Sequence, residues 1–220
     1  KKPKELTLKQ SMVIGTAGIT ALQCAFVTKL TREELLLGEK VNDVIVSGAS
    51  GGVGSISVMI LNKLGCNVTA VTGKDNNVEY LKSLGAKNVI NTQELTKDAR
   101  PLDKGLWDGA VDTVGGKVLE NILSQTKDAG IVASCGNAAG IKLNTTVMPF
   151  IIRGVKLWGI NSVTVSNVRR KFLWSEASKL VDFDLLNKSI KEISLEEVND
   201  VYSKMLNGET SGRYIINLSK

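Results

Sequence analysis

Residues 44–64 constrain the fold more than any other part of the chain, because a short apolar run ends in a glycine-rich turn and a second apolar run follows at once. This order predicts a strand, a tight turn and a helix. In a nucleotide-binding βαβ unit the turn must lack bulk, since backbone N–H groups approach a pyrophosphate at the N-terminus of the helix. Gly51, Gly52 and Gly54 provide that freedom.

The turn departs from the strict pattern G-x-G-x-x-G at one position. When Gly51 and Gly54 are aligned with the second and third glycines, Ala49 stands where the first glycine should be. Alanine tolerates most tight-turn geometries, so the departure weakens the fingerprint without removing it. A glycine-rich turn that serves only the fold remains an alternative at this point.

The end of the next strand is the most informative part of the chain about a cofactor. Residues 67–72, NVTAVT, are rich in β-branched residues, which is typical of a buried parallel strand. An NAD-binding unit carries an acidic residue there for the ribose hydroxyl, whereas this chain has Thr72, Gly73 and Lys74. A hydroxyl, an amide and an ammonium favour the 2′-phosphate of NADP(H). The alternative is that Lys74 is only a solvated charge.

The alternation of strand and helix then continues, which predicts a doubly wound parallel α/β sheet of the Rossmann type. Ligands in such folds lie outside the carboxyl ends of the strands. The predicted further strands are 88–91, 109–113, 130–134 and 155–160, and helices are predicted at 76–84 and 117–125. The predicted crevice is lined by residues 47–54, 72–74, 113–116, 135–138 and 161–163.

Composition limits the classes of function. The net charge is +6, but the basic residues are dispersed among acidic ones outside the N-terminal segment, which disfavours nucleic acid as a partner. The chain has no histidine, so a Ser-His-Asp triad or a histidine-containing zinc site cannot form within it. Its three cysteines have no C-x-x-C spacing and are predicted to be buried free thiols in a cytoplasmic protein. We also expect no apolar run of transmembrane length, no signal peptide and no membrane partner.

Several motifs carry a resemblance to a known family. They are SGASGGVGS at 47–55, EYLKSLGA at 79–86, DTVGGKVL at 112–119, TTVMPFI at 145–151 and KEISL at 191–195. With these motifs the chain resembles the YhdH/YhfP group of zinc-independent, quinone oxidoreductase-like medium-chain dehydrogenase/reductases, some of which are NADPH-dependent acrylyl-CoA reductases. The glycine turn is shared by many relatives, whereas YLKSLGA and TTVMPFI are more specific.

The resemblance implies roles for individual residues in binding NADP(H). Those matched to the pyrophosphate turn are Ser50, Gly51, Gly52 and Val53. Thr72, Gly73 and Lys74 match a Ser-Gly-Arg clamp for the 2′-phosphate, although lysine lacks the planar fork of arginine. The remaining matches are Tyr80 near the adenosine phosphate, with a packed tyrosine as the alternative, and Cys135 to Ala138 together with 161–163 around the nicotinamide. A reactive thiol at Cys135 is not expected, because an apolar strand end raises a thiol pKa.

The resemblance also implies a division of the chain and an activity. Residues 1–10 would end a truncated GroES-like catalytic domain, 11–187 would form the NAD(P)-binding domain, and 188–220 would return to the catalytic domain. This last part would contain a helix with a capping box from Ser194 to Glu197. The implied reaction is hydride transfer from NADPH to an enoyl thioester or a quinone, with the fragment itself inactive. No catalytic residue and no metal ligand can be named. A homodimer through 147–163 is expected, with a monomeric core strand as the alternative.

The sequence also bears on three other classes of function. A short-chain dehydrogenase needs a Tyr-x-x-x-Lys pair, but leucine stands four residues after each tyrosine. Phosphoryl transfer is disfavoured because the pattern G-x-x-x-x-G-K-[ST] is absent. A non-catalytic NADPH-binding or dimerisation module would share every feature of the crevice and stays open.

The division of the chain generates a prediction about its C-terminal part. Without a partner sheet, residues 214–218 and the strand near Ile190 should be exposed or poorly ordered, and the chain should be less stable than its length suggests. Limited proteolysis should therefore cut first within about the last 30 residues. Protection of that segment, with the first cuts elsewhere, would contradict the prediction.

Overall fold

The structure is a computed structural model and describes residues 2–220. The strands are β1 Asp43–Val46, β2 Asn67–Thr72, β3 Ala86–Asn91, β4 Trp107–Asp112, β5 Thr126–Ser134, β6 Lys156–Gly159, β7 Ile190–Ile193 and β8 Arg213–Ile216. The helices are α1 Leu8–Ala25, α2 Arg32–Leu35, α3 Gly52–Lys63, α4 Val78–Ser83, α5 Gly116–Ser124, α6 Met148–Arg153, α7 Asn167–Leu180, α8 Phe183–Asn187 and α9 Val198–Leu206. A π-helical segment, Phe26–Thr31, joins α1 to α2.

Six strands form one parallel sheet in the order β3-β2-β1-β4-β5-β6. This order belongs to the doubly wound dinucleotide-binding fold, in which the strand order reverses between β1 and β4. The predicted Rossmann-type sheet is therefore confirmed. The point of reversal places the loops after β1 and β4 side by side, where a crevice opens.

Alternate residues of the central strands enter two separate cores, as the period of a strand requires. Val44 and Val46 of β1 belong to the larger core, to which α1, α3 and α7 contribute, whereas Ile45 belongs to the smaller core under α5. All three side chains are fully buried. The near-continuous apolar run of β1 thus reflects a sheet that is covered on both faces.

Strand boundaries differ from the prediction mainly at the amino ends of β4 and β5. The predicted starts at Gly109 and Gly130 lie inside longer strands, because polar residues precede the apolar run in both. The register between these strands shifts between Trp107 and Gly109, and Ala129 has φ +53°. Lys127 in the added part of β5 forms ion pairs with Asp43 and Asp108. Paired charges rather than apolar side chains therefore extend these strands.

Helix α1 is broken at Gly15, where φ is +46° and ψ is −154°. It packs against α3 closely enough that a Cβ at Gly18 would lie 3.5 Å from the Ile56 side chain. The expected absence of a transmembrane-length apolar run was wrong, because Leu8–Leu35 has the length and, with a mean hydropathy of 1.5, the composition of one. Since 67% of that apolar window is buried inside the fold, the stretch packs here as a core helix.

The C-terminal residues form a separate two-stranded parallel sheet from β7 and β8. The predicted helix start at Ser194 was wrong: α9 begins at Val198, after a turn in which the Glu197 carboxylate accepts a hydrogen bond from the Ser194 amide at 2.8 Å. The box-like sequence therefore closes a turn before the helix. Ile216 and Leu218 are 45% and 81% exposed, as expected, but the expected exposure of the strand near Ile190 was wrong, because Ile193 is only 7% exposed and Ile190 packs against the larger core. The domain boundaries at 10/11 and 187/188 stay a prediction.

One buried carboxylate joins three of the strand ends. Asp112, the last residue of β4, is fully buried. Its carboxylate accepts hydrogen bonds from the Ser47 hydroxyl at 2.6 Å, the Gly115 amide at 3.0 Å and the Ser134 hydroxyl at 3.3 Å. Burial raises the pKa of Asp112, and these donors oppose the rise because they stabilise the charged form. The carboxylate therefore fixes the ends of β1, β4 and β5 relative to one another.

We predict that Asp112→Ala lowers the free energy of unfolding by about 3 kcal/mol, because at least two buried donors lose their acceptor. Urea unfolding measures this change. The matched control is Asp98→Ala, which removes an exposed carboxylate paired with Lys117 and should change the free energy of unfolding far less, because solvent screens that pair. Equal stability of the two variants would contradict the assignment.

The same variant should alter the pH dependence of stability. Because the folded-state pKa of Asp112 is raised, its bound proton stabilises the fold; this contribution is fully present below the unfolded pKa and is lost as the pH rises through the folded-state value and the group ionises. The stability difference between the unsubstituted chain and Asp112→Ala should therefore be larger at mildly acidic pH than at neutral pH.

Candidate functional site

The turn between β1 and α3 is too tight to accommodate a side chain at Gly54. A Cβ at Gly54 would lie 2.3 Å from the Gly48 carbonyl oxygen and 2.7 Å from the Ala49 Cα, and Gly48 itself has φ +57°. Ala49 is fully buried, and its amide donates to the Val71 carbonyl oxygen at 2.9 Å. Alanine therefore fits at the position of the first glycine because its methyl group packs into the core.

The predicted residues after β1 and β2 lie together at the carboxyl edge of the sheet. The Ser50 and Thr72 hydroxyls are 3.3 Å apart, and the Lys74 amide donates to the Thr72 hydroxyl at 3.2 Å. Gly51 is the N-cap residue of α3 and has no side chain to accept from the free amides of the first turn. These amides and the helix dipole favour an anion at this point.

Other predicted residues contribute differently to this edge. Val53 packs its side chain against the larger core, so only its backbone is available to a ligand. Gly73 is exposed between the two polar residues that flank it. A Cβ at Gly52 would lie 3.5 Å from the Ala17 Cβ of α1, which shows how closely α1 approaches the turn.

Lys74 brings a cation to the end of β2. Its ammonium donates to the carbonyl oxygen of Thr210, in the segment that precedes β8. Asp75, the acidic residue that follows Lys74, begins a 3₁₀ turn and is exposed. Among residues 2–220, no carboxylate lies within 4.0 Å of the Lys74 ammonium. The positive charge is thus free of a competing anion at this edge.

Sequence reasoning missed Arg213, which lies against the glycine turn. Its guanidinium donates to the Gly52 carbonyl oxygen at 3.3 Å, and the adjacent Gly212 amide donates to the Ser50 carbonyl oxygen at 3.3 Å. Burial lowers the pKa of Arg213, and within the described chain no carboxylate lies within 4.0 Å of it. The only available signal was a Gly-Arg pair at the start of the last apolar run.

The nicotinamide-side residues belong to the ends of β5 and β6. Tyr80 lies near Arg213, because both contact Ser189: the Arg213 amide donates to the Ser189 carbonyl oxygen at 3.1 Å. The Tyr80 hydroxyl donates to the Ser189 hydroxyl at 2.8 Å, and its ring packs against the larger core, as in the packed alternative. Cys135 follows β5, and Ala138 lies exposed in the same loop. A cavity of about 480 Å³ between the ends of β5 and β6 is lined by Cys135 and Asn161 among others.

The cysteines differ in part from the prediction. All three are free, and Cys24 and Cys66 are buried, but Cys135 is only partly buried. The expected rise of the Cys135 pKa was wrong: the pKa is lowered, because the Cys24 thiol donates to the Cys135 sulfur, although burial opposes this effect. The pKa of Cys24 is raised correspondingly.

A metal does not fit the described residues. Within residues 2–220 no three His, Cys, Asp or Glu side chains are grouped so that they could hold one. The crevice instead combines small residues, free helix amides and two cations without carboxylate partners. Such an arrangement suits an extended ligand with several phosphates.

Comparison with known proteins agrees with this geometry. Residues 52–181 match the family model described as "Zinc-binding dehydrogenase". The probable acrylyl-CoA reductase AcuI of Escherichia coli is 41% identical over 217 residues, which is 99% of this chain and 65% of the relative. The putative quinone oxidoreductase YhfP of Bacillus subtilis is 41% identical over 218 residues, 98% of this chain and 65% of the relative.

Two solved structures extend the comparison to the fold. The yhdH oxidoreductase of Salmonella enterica in complex with NADP is 40% identical, has a TM-score of 0.91, and is matched over 98% of this chain and 65% of its own. The Bacillus subtilis yhfP structure with NAD bound has a TM-score of 0.87 with 40% identity, over the same shares of the two chains. The chain thus spans 65% of the length of these relatives.

The matched segment covers more than half of the chain and includes both α3 and β6, so the sequence resemblance is confirmed over the whole parallel sheet after the glycine turn. The chain belongs to the zinc-binding dehydrogenase family of medium-chain dehydrogenase/reductases, and over its length it is similar to members of the YhdH/YhfP group.

Proposed function

We propose that this chain is the cofactor-binding part of an NADPH-dependent oxidoreductase that transfers a hydride to an activated C=C bond of an enoyl thioester, or to a quinone. The observation that carries the proposal is the pair of cations at the glycine turn, Lys74 and Arg213, which have no carboxylate of residues 2–220 within 4.0 Å. A turn that served only the fold would not need two such charges beside it. The names of the E. coli and B. subtilis relatives supply the two substrate classes.

The pyrophosphate is held at the first turn of α3. The backbone amides of Gly52 and Val53, in the first turn of α3, supply donors there, Gly51 leaves room for the ligand because its own amide donates to the Gly48 carbonyl oxygen, and Ser50 adds a hydroxyl at the edge. The Arg213 guanidinium is already fixed by the Gly52 carbonyl oxygen, so its remaining donors need little reorganisation to meet a phosphate. Both nicotinamide cofactors share this group, so these contacts give affinity without a choice between them.

Residues at the end of β2 determine the preference for NADPH over NADH. The Thr72 hydroxyl, the Gly73 amide and the Lys74 ammonium together suit a 2′-phosphate, which an acidic residue at this point would repel. A 100-fold preference corresponds to about 2.7 kcal/mol, an amount that one charge-assisted contact can supply. Tyr80 contributes at most through its position on α4, because its hydroxyl is engaged by Ser189.

The reacting end of the cofactor belongs at the ends of β5 and β6. Cys135 and Asn161 line the cavity there, and Ala138 and residues 162–163 follow in the same two loops. When bound, a reduced nicotinamide supplies the hydride itself. The residues of this chain orient it and limit access of water; the acid or base for the substrate is not among the residues assigned here.

The proposal also covers the division of the protein into domains and its assembly. Residues 11–187 bind the cofactor, while 1–10 and 188–220 adjoin a GroES-like catalytic domain. A homodimer forms through α6 and the edge strand β6, where Ile151, Ile152 and Trp158 are 68%, 60% and 42% exposed.

A non-catalytic NADPH-binding or dimerisation module is the second candidate, since every contact in the crevice would serve it equally well. Turnover distinguishes the two candidates. The protein of the relatives' full length should reduce an enoyl thioester or a quinone with NADPH if the first is correct.

We predict that this chain binds NADPH at least about 10-fold more tightly than NADH, and that Lys74→Ala removes most of the difference, because the ammonium meets only the 2′-phosphate. Calorimetric titration with each cofactor measures both affinities. Lys82→Ala is the matched control, since this lysine lies on the outer face of α4 in an exposed ion pair with Glu79. An unchanged preference in Lys74→Ala would refute the role of Lys74.

Arg213→Gln should behave differently and weaken NADPH and NADH alike, each by about 10-fold, because the pyrophosphate is common to both. The same titrations test this. Arg213→Lys keeps a charge and should recover part of the affinity, and circular dichroism checks that β8 remains folded in each variant. A loss confined to NADPH would instead move Arg213 to the 2′-phosphate.

A further inference from the structure

A cavity of about 730 Å³ lies outside the cofactor crevice, between the N-terminal segment, the first half of α1 and the start of α7. Its volume is in the range of sites that hold drug-sized ligands. Neither the pyrophosphate turn nor the end of β2 contributes to its lining. The cofactor contacts proposed above therefore leave it unused.

The walls of this cavity carry an excess of positive charge. Lys2, Arg170 and Lys171 line it, with Glu5 as the one acidic side chain. Among residues 2–220, no carboxylate lies within 4.0 Å of these three cations. Three unneutralised cations around one cavity favour a ligand with more than one negative charge, such as a phosphate chain.

The cavity also has a surface for a flat ring. Trp174, one turn after Arg170 on α7, is partly buried in its wall, and Met12 and Ile19 of α1 add apolar surface. Bases stack on aromatic side chains with a gain of about 1–3 kcal/mol, and an arginine nearby adds to it. An aromatic ring beside cations suits an adenosine phosphate better than a lone phosphate.

One contact connects this cavity with the reacting end of the crevice, and a second connects it with the glycine turn. The Arg170 guanidinium donates to the Ser162 carbonyl oxygen at 3.3 Å, in the loop proposed to border the nicotinamide. Gly15 and Thr16 line the cavity, and the next residue, Ala17, is the one that approaches Gly52 of the glycine turn. A ligand in the cavity is thus anchored beside the site where the hydride is transferred.

We propose that this cavity binds the adenosine-phosphate end of a coenzyme A thioester, with Arg170 and Lys171 on the phosphates and Trp174 on the purine. The proposal rests on the proposed function and narrows it, because a neutral quinone has no group that uses these cations. The acyl end of the same ligand is directed past Thr16 toward the nicotinamide.

Titration of this chain with coenzyme A, in the presence of saturating NADP⁺, tests the proposal. The NADP⁺ keeps the adenosine phosphates of coenzyme A out of the cofactor crevice. We expect coenzyme A to bind with a change in Trp174 fluorescence that is absent from Trp174→Phe, while pantetheine, which has no phosphates, binds at least about 10-fold more weakly.

Two charge variants make the test specific. The double variant Arg170→Gln with Lys171→Gln should weaken coenzyme A binding by about 100-fold, about 10-fold for each charge lost. Arg169→Gln is the matched control: it loses the same charge on the same helix, but Arg169 is exposed and does not line the cavity. It should change the affinity by less than about 3-fold.

Three results would overturn the proposal: no binding of coenzyme A by the NADP⁺-bound chain, equal affinity for coenzyme A and pantetheine, or equal losses in Arg169→Gln and in the double variant. Failure of the proposed function has a different signature. In that case NADPH itself does not bind, and coenzyme A titrated without nucleotide still reports on the cavity through Trp174.

Discussion

The buried carboxylate of Asp112 is the interaction on which the crevice depends. A parallel sheet aligns its strand ends only approximately, because each strand is followed by a loop of its own. Asp112 accepts hydrogen bonds from the loop after β1, the loop after β4 and the end of β5. These bonds fix the two loops and the strand end relative to one another. Its burial is costly for a charged group, and the donors around it offset that cost. Polar contacts as well as apolar packing therefore fix the geometry around the glycine turn.

On this surface, charge determines what can bind. Small residues and helix amides would accept many anionic ligands, and only the placement of cations distinguishes among them. Lys74 and Arg213 lie at separate points of one crevice, near the proposed positions of the ribose phosphate and the pyrophosphate. Arg170 and Lys171 line another cavity, which the first half of α1 also borders. In the two proposals, one group of cations binds NADPH and the other binds a coenzyme A thioester.

Local patterns were sufficient to predict the sheet, because apolar runs and glycine turns are read within a few residues. The strand at Asn67–Thr72 was predicted to the residue, since β-branched side chains fill it and Gly65 closes the helix before it. The extra length of β5 could not be predicted, because it depends on ion pairs of Lys127 with residues far away in sequence. The role of Arg213 could not be predicted either, because it depends on a contact with Gly52, 161 residues away, which no local pattern encodes. The Cys135 pKa was misjudged because its partner, Cys24, lies on α1.

The contacts between the last strand and the glycine turn limit how this fold can be divided. The Gly212 amide meets Ser50, the Arg213 guanidinium meets Gly52, and Lys74 meets Thr210, so both ends of the crevice edge are tied to residues added after the Rossmann sheet is complete. A chimaera that transplants only β1 to β6 into another protein would keep the fold and lose these ties. The nucleotide site is thus a property of the folded chain up to β8, and its smallest transferable unit is longer than the sheet that carries it.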